Sequence, residues 1–326
     1  MLLNIIFSYN RAMQLDYLLQ STLRHFKIND FEIAIIYHTT GEHKKGYQLL
    51  QENYKDYKFI KFYERKEGFD LGILPAINCR KHLRFFNKYH FKNKKRDNFK
   101  GLLERIMRDT SHEFVMFNTD DGVFLKDVYF DEEILNLIRF NPNTSYRTYI
   151  GDNLEGFPDY VKQWNTYYLW NYYHDKYKVT HWSYPFAVDG TIYHTKYLLS
   201  IIKKIAYHNP ITLEGNAVEY IKRNKLFGLG ISPLKSILIG TILNRVSVDS
   251  FNPTLNIGVD QLNTEFLDGN RIDLITPEII TISNIVPEKV FLIKDNKKTL
   301  LYEKNVEGES LQSNYGAEGT KKAENE

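Results

Sequence analysis

An apolar run that stops on two adjacent carboxylates, Phe114-Val115-Met116-Phe117-Asn118-Thr119-Asp120-Asp121-Gly122, carries the most chemistry in this chain. A buried strand that delivers paired acids at its carboxyl end sets hard oxygen ligands beside the crevice where open α/β sheets take their ligands. A divalent cation could hold a diphosphate there. The plainer reading is a turn, because Asp and Gly form turns for backbone reasons alone. Near the start, Ile6-Phe7-Ser8-Tyr9-Asn10-Arg11 ends another apolar strand in small and polar residues just before a helix. Its backbone donors, hydroxyl and fixed cation suit a nucleotide or phosphate. Again there is a plainer reading, a helix cap supplied by Ser8 or Asn10.

These residues need a scaffold, and the first 120 residues alternate strand and helix signals. Leu2 to Phe7 reads as a buried strand, followed by Met13, Tyr17, Leu18 and Phe26 on one helical face. Glu32 to Tyr37 is a second strand, Tyr47 to Tyr54 part of a second helix, and Phe59 to Tyr63 a third strand. Gly68 and Gly72 open a helix-like run through Leu83 and Phe86, and Phe99 to Met107 forms a helix leading into the strand at Phe114. Such alternation predicts α/β architecture, a mostly parallel sheet flanked by helices. The second half is less regular. It shows strands at Ser145 to Ile150, Phe186 to His194 and Lys235 to Ile239, and helices at Lys196 to Ala206, Glu214 to Arg223 and Val259 to Leu267. Between them lies an aromatic segment, Phe157 to Trp182, containing Trp164 and Trp170. No internal repeat is visible.

Composition excludes several classes of function. With 326 residues the chain can bury a substantial core. Charged residues are 25% and the net charge is +3, so overall electrostatics call for no nucleic-acid partner. The 24 Tyr and 21 Phe suit a polar ring-shaped ligand that is both stacked and hydrogen-bonded, although a bias toward Lys, Asn, Ile and Tyr explains them equally. The lone Cys79 excludes an internal disulfide framework and a multi-cysteine zinc site, and fits a reducing compartment. Leu2 to Phe7 is too short for a signal peptide, and Pro233 and Lys235 interrupt the apolar region from Phe227 to Leu243. The expected location is the cytoplasm. The basic region from Arg80 to Lys100, with Lys92, Lys94, Lys95 and Arg96, reads by default as a solvated loop. Its alternative is a patch for anionic lipid head groups, giving peripheral association with the inner face of a membrane. Beyond Glu303 the composition is that of a disordered tail.

Ser8-Tyr9-Asn10-Arg11 after the first strand, followed by Asn118-Thr119-Asp120-Asp121 after a later one, resembles in order and separation the two principal signatures of GT-A glycosyltransferases. The resemblance is clearest over the first 125 residues and continues more weakly to about Leu274. It implies a single GT-A domain with a nucleotide-sugar-binding half over 1–125, an acceptor-side half with a C-terminal extension over 126–303, and a tail over 304–326. It also implies that Ser8, Tyr9, Asn10 and Arg11 hold the nucleotide. Asp121 would then ligate Mn2+ or Mg2+, and Asp120 would contact the ribose or sugar or share the metal. The family usually separates its two acids by one residue, whereas here they are adjacent.

Two downstream acids compete to be the base that takes the acceptor hydroxyl's proton. Glu214 resembles the acid at the start of a helix that serves in inverting relatives, although the usual Glu-Asp pair is absent, and helix-terminal placement alone would also explain it. Asp189 lies near a strand in Val188-Asp189-Gly190, which also reads as an Asp-Gly turn. Glu214 is placed ahead of Asp189. Arg245 is assigned to the diphosphate, with a surface salt bridge as its alternative. Asn244 stands where some relatives carry a third metal ligand, and His38 borders the base pocket. The expected activity is inverting, metal-dependent transfer of a sugar from a nucleotide diphosphate to a glycan or lipid-linked saccharide, in surface polysaccharide synthesis. One alternative is a sugar-phosphate nucleotidyltransferase, disfavoured because Ser8 to Gln14 has no glycine to cradle a triphosphate. The other is a non-catalytic carbohydrate-binding protein that uses the aromatic segment.

Overall fold

A computed structural model describes residues 1–66, 98–129, 131–174, 180–246, 254–255, 257–275 and 280–303. Cys79, the run from Gly68 to Phe86, most of the basic region from Arg80 to Lys100, and the tail over 304–326 lie outside the described residues.

The apolar runs of the first half become strands β1 (Leu2–Tyr9), β2 (Phe31–His38), β3 (Ile60–Glu64) and β4 (Phe114–Thr119). Between them run helices α1 (Ala12–His25), α2 (His43–Asn53) and α3 (Phe99–Asp109). Residues 2–7 of β1 are buried, which suits a strand covered by helices on both faces. These four strands pair in parallel in the order β3-β2-β1-β4.

The sheet then continues through the second half of the chain. Next to β4 lie β9 (Thr191–His194), β6 (Thr144–Arg147), β10 (Leu229–Pro233), β8 (Tyr167–Asn171) and β7 (Lys162–Trp164), completing a nine-stranded sheet. Only β9 and β8 run against the other strands. The architecture is therefore mixed α/β with a large, mostly parallel sheet flanked by helices, as the sequence predicts. Helices α4 (Glu132–Phe140), α5 (Thr195–Ile202), α6 (Pro210–Asn224) and α7 (Val259–Leu267) complete the described helices. A small sheet, β13-β11-β5, joins β5 (Gly122–Phe124), β11 (Leu238–Thr241) and β13 (Asn284–Ile285). Another, β12-β14-β15, uses β12 (Arg271–Ile275), β14 (Lys289–Lys294) and β15 (Lys297–Glu303).

Several boundaries differ from the sequence reading for identifiable reasons. The expected strand from Phe186 to His194 begins only at Thr191, because Gly190 takes φ +51 and breaks extended geometry. The apolar region from Phe227 to Leu243 contains two strands, β10 and β11, separated by residues 234–237. In the aromatic segment Trp170 and Trp182 are each 2% exposed, and Trp170 Nε1 donates to Trp182 O at 2.7 Å. Their rings serve the core and are not presented as a binding face.

Candidate functional site

Strand ends build the site. A cleft of about 870 Å³ opens at the carboxyl ends of β1, β2 and β4, and is closed on its other side by the 180–189 segment and the start of α6. Ser8, Tyr9, Arg11, His38, Asp120, Asp121, Asp189, Glu214, Asn244 and Arg245 all line it, so sequence-remote candidates converge in one place. Of the sequence-assigned residues only Asn10 is not in the lining. It takes φ +55 and turns away to pair with Thr40, its Nδ2 donating to Thr40 Oγ1 at 2.9 Å and its Oδ1 accepting from Thr40 N at 2.9 Å.

Neither Ser8 nor Asn10 caps α1, which has no side-chain cap. Instead the β1 end is tied to the acid pair. Asp120 Oδ2 accepts from Ser8 Oγ at 2.8 Å and from Tyr9 N at 3.1 Å, and Arg11 Nη1 donates to Asp120 Oδ1 at 3.0 Å. The same Nη1 donates to Asp121 Oδ2 at 3.1 Å. Asn244 holds the other side of this guanidinium, accepting from Nε at 2.9 Å on Oδ1 and from Nη2 at 2.6 Å on its carbonyl. Burial works against the Arg11 charge, and the two carboxylates outweigh it, so its pKa rises. Burial raises Asp120 despite Arg11. Asp120 is enclosed, its side chain 5% exposed, whereas that of Asp121 is 29% exposed to the cleft.

A second acid centre lies across Thr119. Its hydroxyl is 2.7 Å from Asp121 Oδ1 and 2.6 Å from Asp189 Oδ1. One hydroxyl carries one proton, so it donates to one of these carboxylates and accepts from the other when that group is protonated. Burial, then the neighbouring Asp121, pushes Asp189 up to about 6. Gly190 fixes the backbone beside it, its N donating to Asn118 Oδ1 at 3.2 Å, while Asn118 Nδ2 donates to Asn4 Oδ1 at 2.7 Å. Glu214 sits in the second turn of α6, past a capping box formed by Asn209 and Thr212 and past Pro210. Its Oε1 accepts from Val188 N at 3.2 Å, and burial followed by Asp189 pushes it up to about 8.

The wall at the β1 and β2 ends includes Tyr9 and His38 as a stacked pair, with ring centroids 5.3 Å apart and planes 10° from parallel. His38 Nδ1 lies 3.1 Å from Arg65 O. The opposite wall holds Tyr149, His181 and Tyr184, which sequence reasoning did not single out. Tyr149 fell in the expected strand from Ser145 to Ile150, His181 at the end of the aromatic segment and Tyr184 just beyond it, and none of these placements distinguishes a wall from a core.

The donor set admits a divalent metal at one residue. Among the described residues no group of three or more His, Cys, Asp or Glu is disposed to hold a metal ion. Both oxygens of each acid accept from protein donors, so exposure separates the two: the Asp120 side chain is enclosed and that of Asp121 is not. Asp121 is the carboxylate open to the cleft, and a small hard cation needs as few as one or two protein carboxylates when phosphates supply the rest.

No family model and no curated protein matches the chain. Among solved structures, S. aureus TarS 1-349 in complex with UDP-GlcNAc aligns over 77% of this chain and 61% of that chain at 12% identity, with TM-score 0.43. The WbbM bifunctional glycosyltransferase aligns over 69% and 37% at 15% identity, TM-score 0.34. A mannosyltransferase from Pyrobaculum calidifontis in complex with GDP-Man and Mn2+ aligns over 47% and 36% at 11% identity, TM-score 0.27. The chain thus spans less than two thirds of the length of each of these chains.

Proposed function

We propose that this protein is a GT-A-type glycosyltransferase that moves a sugar from a nucleoside diphosphate to a hydroxyl of a glycan or lipid-linked saccharide, with inversion. The observation that carries this reading is the convergence of Arg11, Asp121, Asp189 and Glu214 from four separate segments into one cleft. The nucleotide lies over the β1 and β2 ends, with its base against Tyr9 and His38 and its diphosphate between Asp121 and Arg245. The half over 1–125 thereby serves the donor, and the half over 126–303 the acceptor. Asp121 would hold Mn2+ or Mg2+, which would supply neutralisation of the diphosphate's charge. Asp120 acts from behind, locking Ser8, Tyr9 and Arg11 in place.

Asp189 is the preferred base, ahead of Glu214. A base works best with a pKa near the operating pH, and at neutral pH a group near 6 is mostly ionised whereas one near 8 holds its proton. Asp189 takes the acceptor proton as the acceptor oxygen bonds to the anomeric carbon and the bond to the diphosphate oxygen breaks. Glu214, protonated, donates a hydrogen bond to the acceptor and limits the negative charge around Asp189. Asn244 serves as the anchor of Arg11, its carboxamide and carbonyl both accepting from the guanidinium. Among the described residues no helix is long and apolar enough to cross a membrane. Peripheral association through the Arg80 to Lys100 region would bring the cleft to lipid-linked acceptors.

The test is incubation with a panel of uridine- and guanosine-diphosphate sugars, with and without manganese, scored by nucleoside diphosphate release and by calorimetric binding. A folded sample that binds none of the donors and releases no nucleoside diphosphate refutes the proposal.

A further inference from the structure

Arg147 ends β6 with no exposed surface, the largest fully buried side chain described. It is paired in the sheet with Thr191 of β9, two residues from Asp189. Its Nη1 donates to His181 O at 3.0 Å and to Tyr184 O, while Nε and Nη2 have no partner. The guanidinium carbon lies 4.7 Å from the centre of the Tyr149 ring and 5.9 Å from that of Tyr172. A buried cation is costly unless something nearby compensates it. Here the compensation comes from the two carbonyls, the aromatic faces and the two acids of the cleft. The Arg147 charge opposes the upward push on both Asp189 and Glu214.

Its two carbonyl partners belong to residues whose side chains form the acceptor-side wall. The segment between them is a single 3-10 turn, His181–Ser183, in which Ser183 N donates to Thr180 O at 3.1 Å. So short a turn needs outside contacts to hold its place. We propose that Arg147 is a positioning residue for the acceptor: from behind the wall it fixes the 180–184 turn and so sets where His181 and Tyr184 stand relative to Asp189 and Glu214. This rests on the transfer reading above. A lysine does not reproduce it: both carbonyls accept from the single nitrogen Nη1 while the planar guanidinium lies over the Tyr149 ring, and an ammonium can supply the hydrogen bonds but not that stacked plane.

The full-length chain carrying Arg147→Met or Arg147→Lys tests this by two independent readouts. Amide hydrogen exchange should accelerate about tenfold or more over 180–184 while β1 and β4 keep their protection. The acceptor KM should rise about tenfold and kcat fall up to about 100-fold, as for a misplacement of about 1 Å, with affinity for uridine and guanosine diphosphates within about twofold of wild type. Unchanged exchange in the turn, or donor and acceptor constants that move together, overturns the assignment. If Arg147→Met fails to fold, Arg147→Lys decides on the same readouts, and unfolding of both overturns it in favour of a general core role. A wild-type protein that neither binds nor transfers would defeat the transfer reading. Exchange in the 180–184 turn would still report separately whether Arg147 holds it.

Discussion

Glu214→Gln should uncouple stability from pH, and the size of the effect follows from where Glu214 sits. In the folded chain its carboxyl group is pushed from 4.5 to about 8 by burial and by Asp189, while Arg147 and the Val188 amide pull the other way. Between those two values the folded state keeps a proton that the unfolded chain has released. The folded state then binds more protons, so stability falls as pH rises through this window and levels off above about 8. Each unit is worth about 1.4 kcal/mol, so with the partial titration at both ends of the window the wild type should lose about 3.5 kcal/mol from this group between about pH 5 and pH 8. Glutamine keeps the carbonyl that accepts from Val188 N and cannot ionise. Urea denaturation of both proteins at a series of pH values isolates the term, because other groups contribute to both curves. The variant should gain on the wild type steadily with pH, by about 3.5 kcal/mol between about pH 5 and pH 8. Parallel curves, with a difference constant to about 0.5 kcal/mol, would show that Glu214 titrates normally and would remove the reason for placing the base on Asp189.

Other outcomes test the remaining parts of the site. Asp189→Asn should lower acceptor transfer by about 100-fold or more with donor binding retained, whereas Glu214→Gln should act more weakly; the reverse ranking returns the base role to Glu214. Asp121→Ala should leave the fold intact and raise the manganese concentration needed for half-maximal turnover, because it removes the member of the acid pair that is open to the cleft. Unchanged turnover at limiting manganese would leave the acid pair as a turn. Gly190→Ala should destabilise by about 2 kcal/mol or more, since the residue has φ +51 and an added Cβ would lie 2.4 Å from both Leu238 Cδ2 and Thr148 Oγ1. Its transfer rate should fall as well, through displacement of Asp189, and a normal melting temperature would refute the packing argument.

The sequence by itself determined the scaffold of the first half, the parallel strands and the residues at their carboxyl ends. Continuous apolar runs such as Leu2 to Phe7 and Phe114 to Phe117 read as buried strands, and their polar ends mark the sheet edge where a ligand sits. The same pattern marks Ser8, Arg11, Asp120 and Asp121 at those ends. What the sequence left undecided were the partners, because hydrogen bonds across 109 or 233 positions leave no periodicity to read. Only the tertiary structure put Asn244 behind Arg11, set Thr119 between Asp121 and Asp189, and moved the Ser8 hydroxyl from a helix cap to Asp120. The second half was harder to read because its strands are short and antiparallel neighbours interrupt the parallel order, so hydrophobic period alone could not place them. The different environments of Asp189 and Glu214 belong to the tertiary structure as well. Two carboxyl groups with nearly equal intrinsic acidity are driven apart by burial and by nearby charges, and both depend on the assembled cleft.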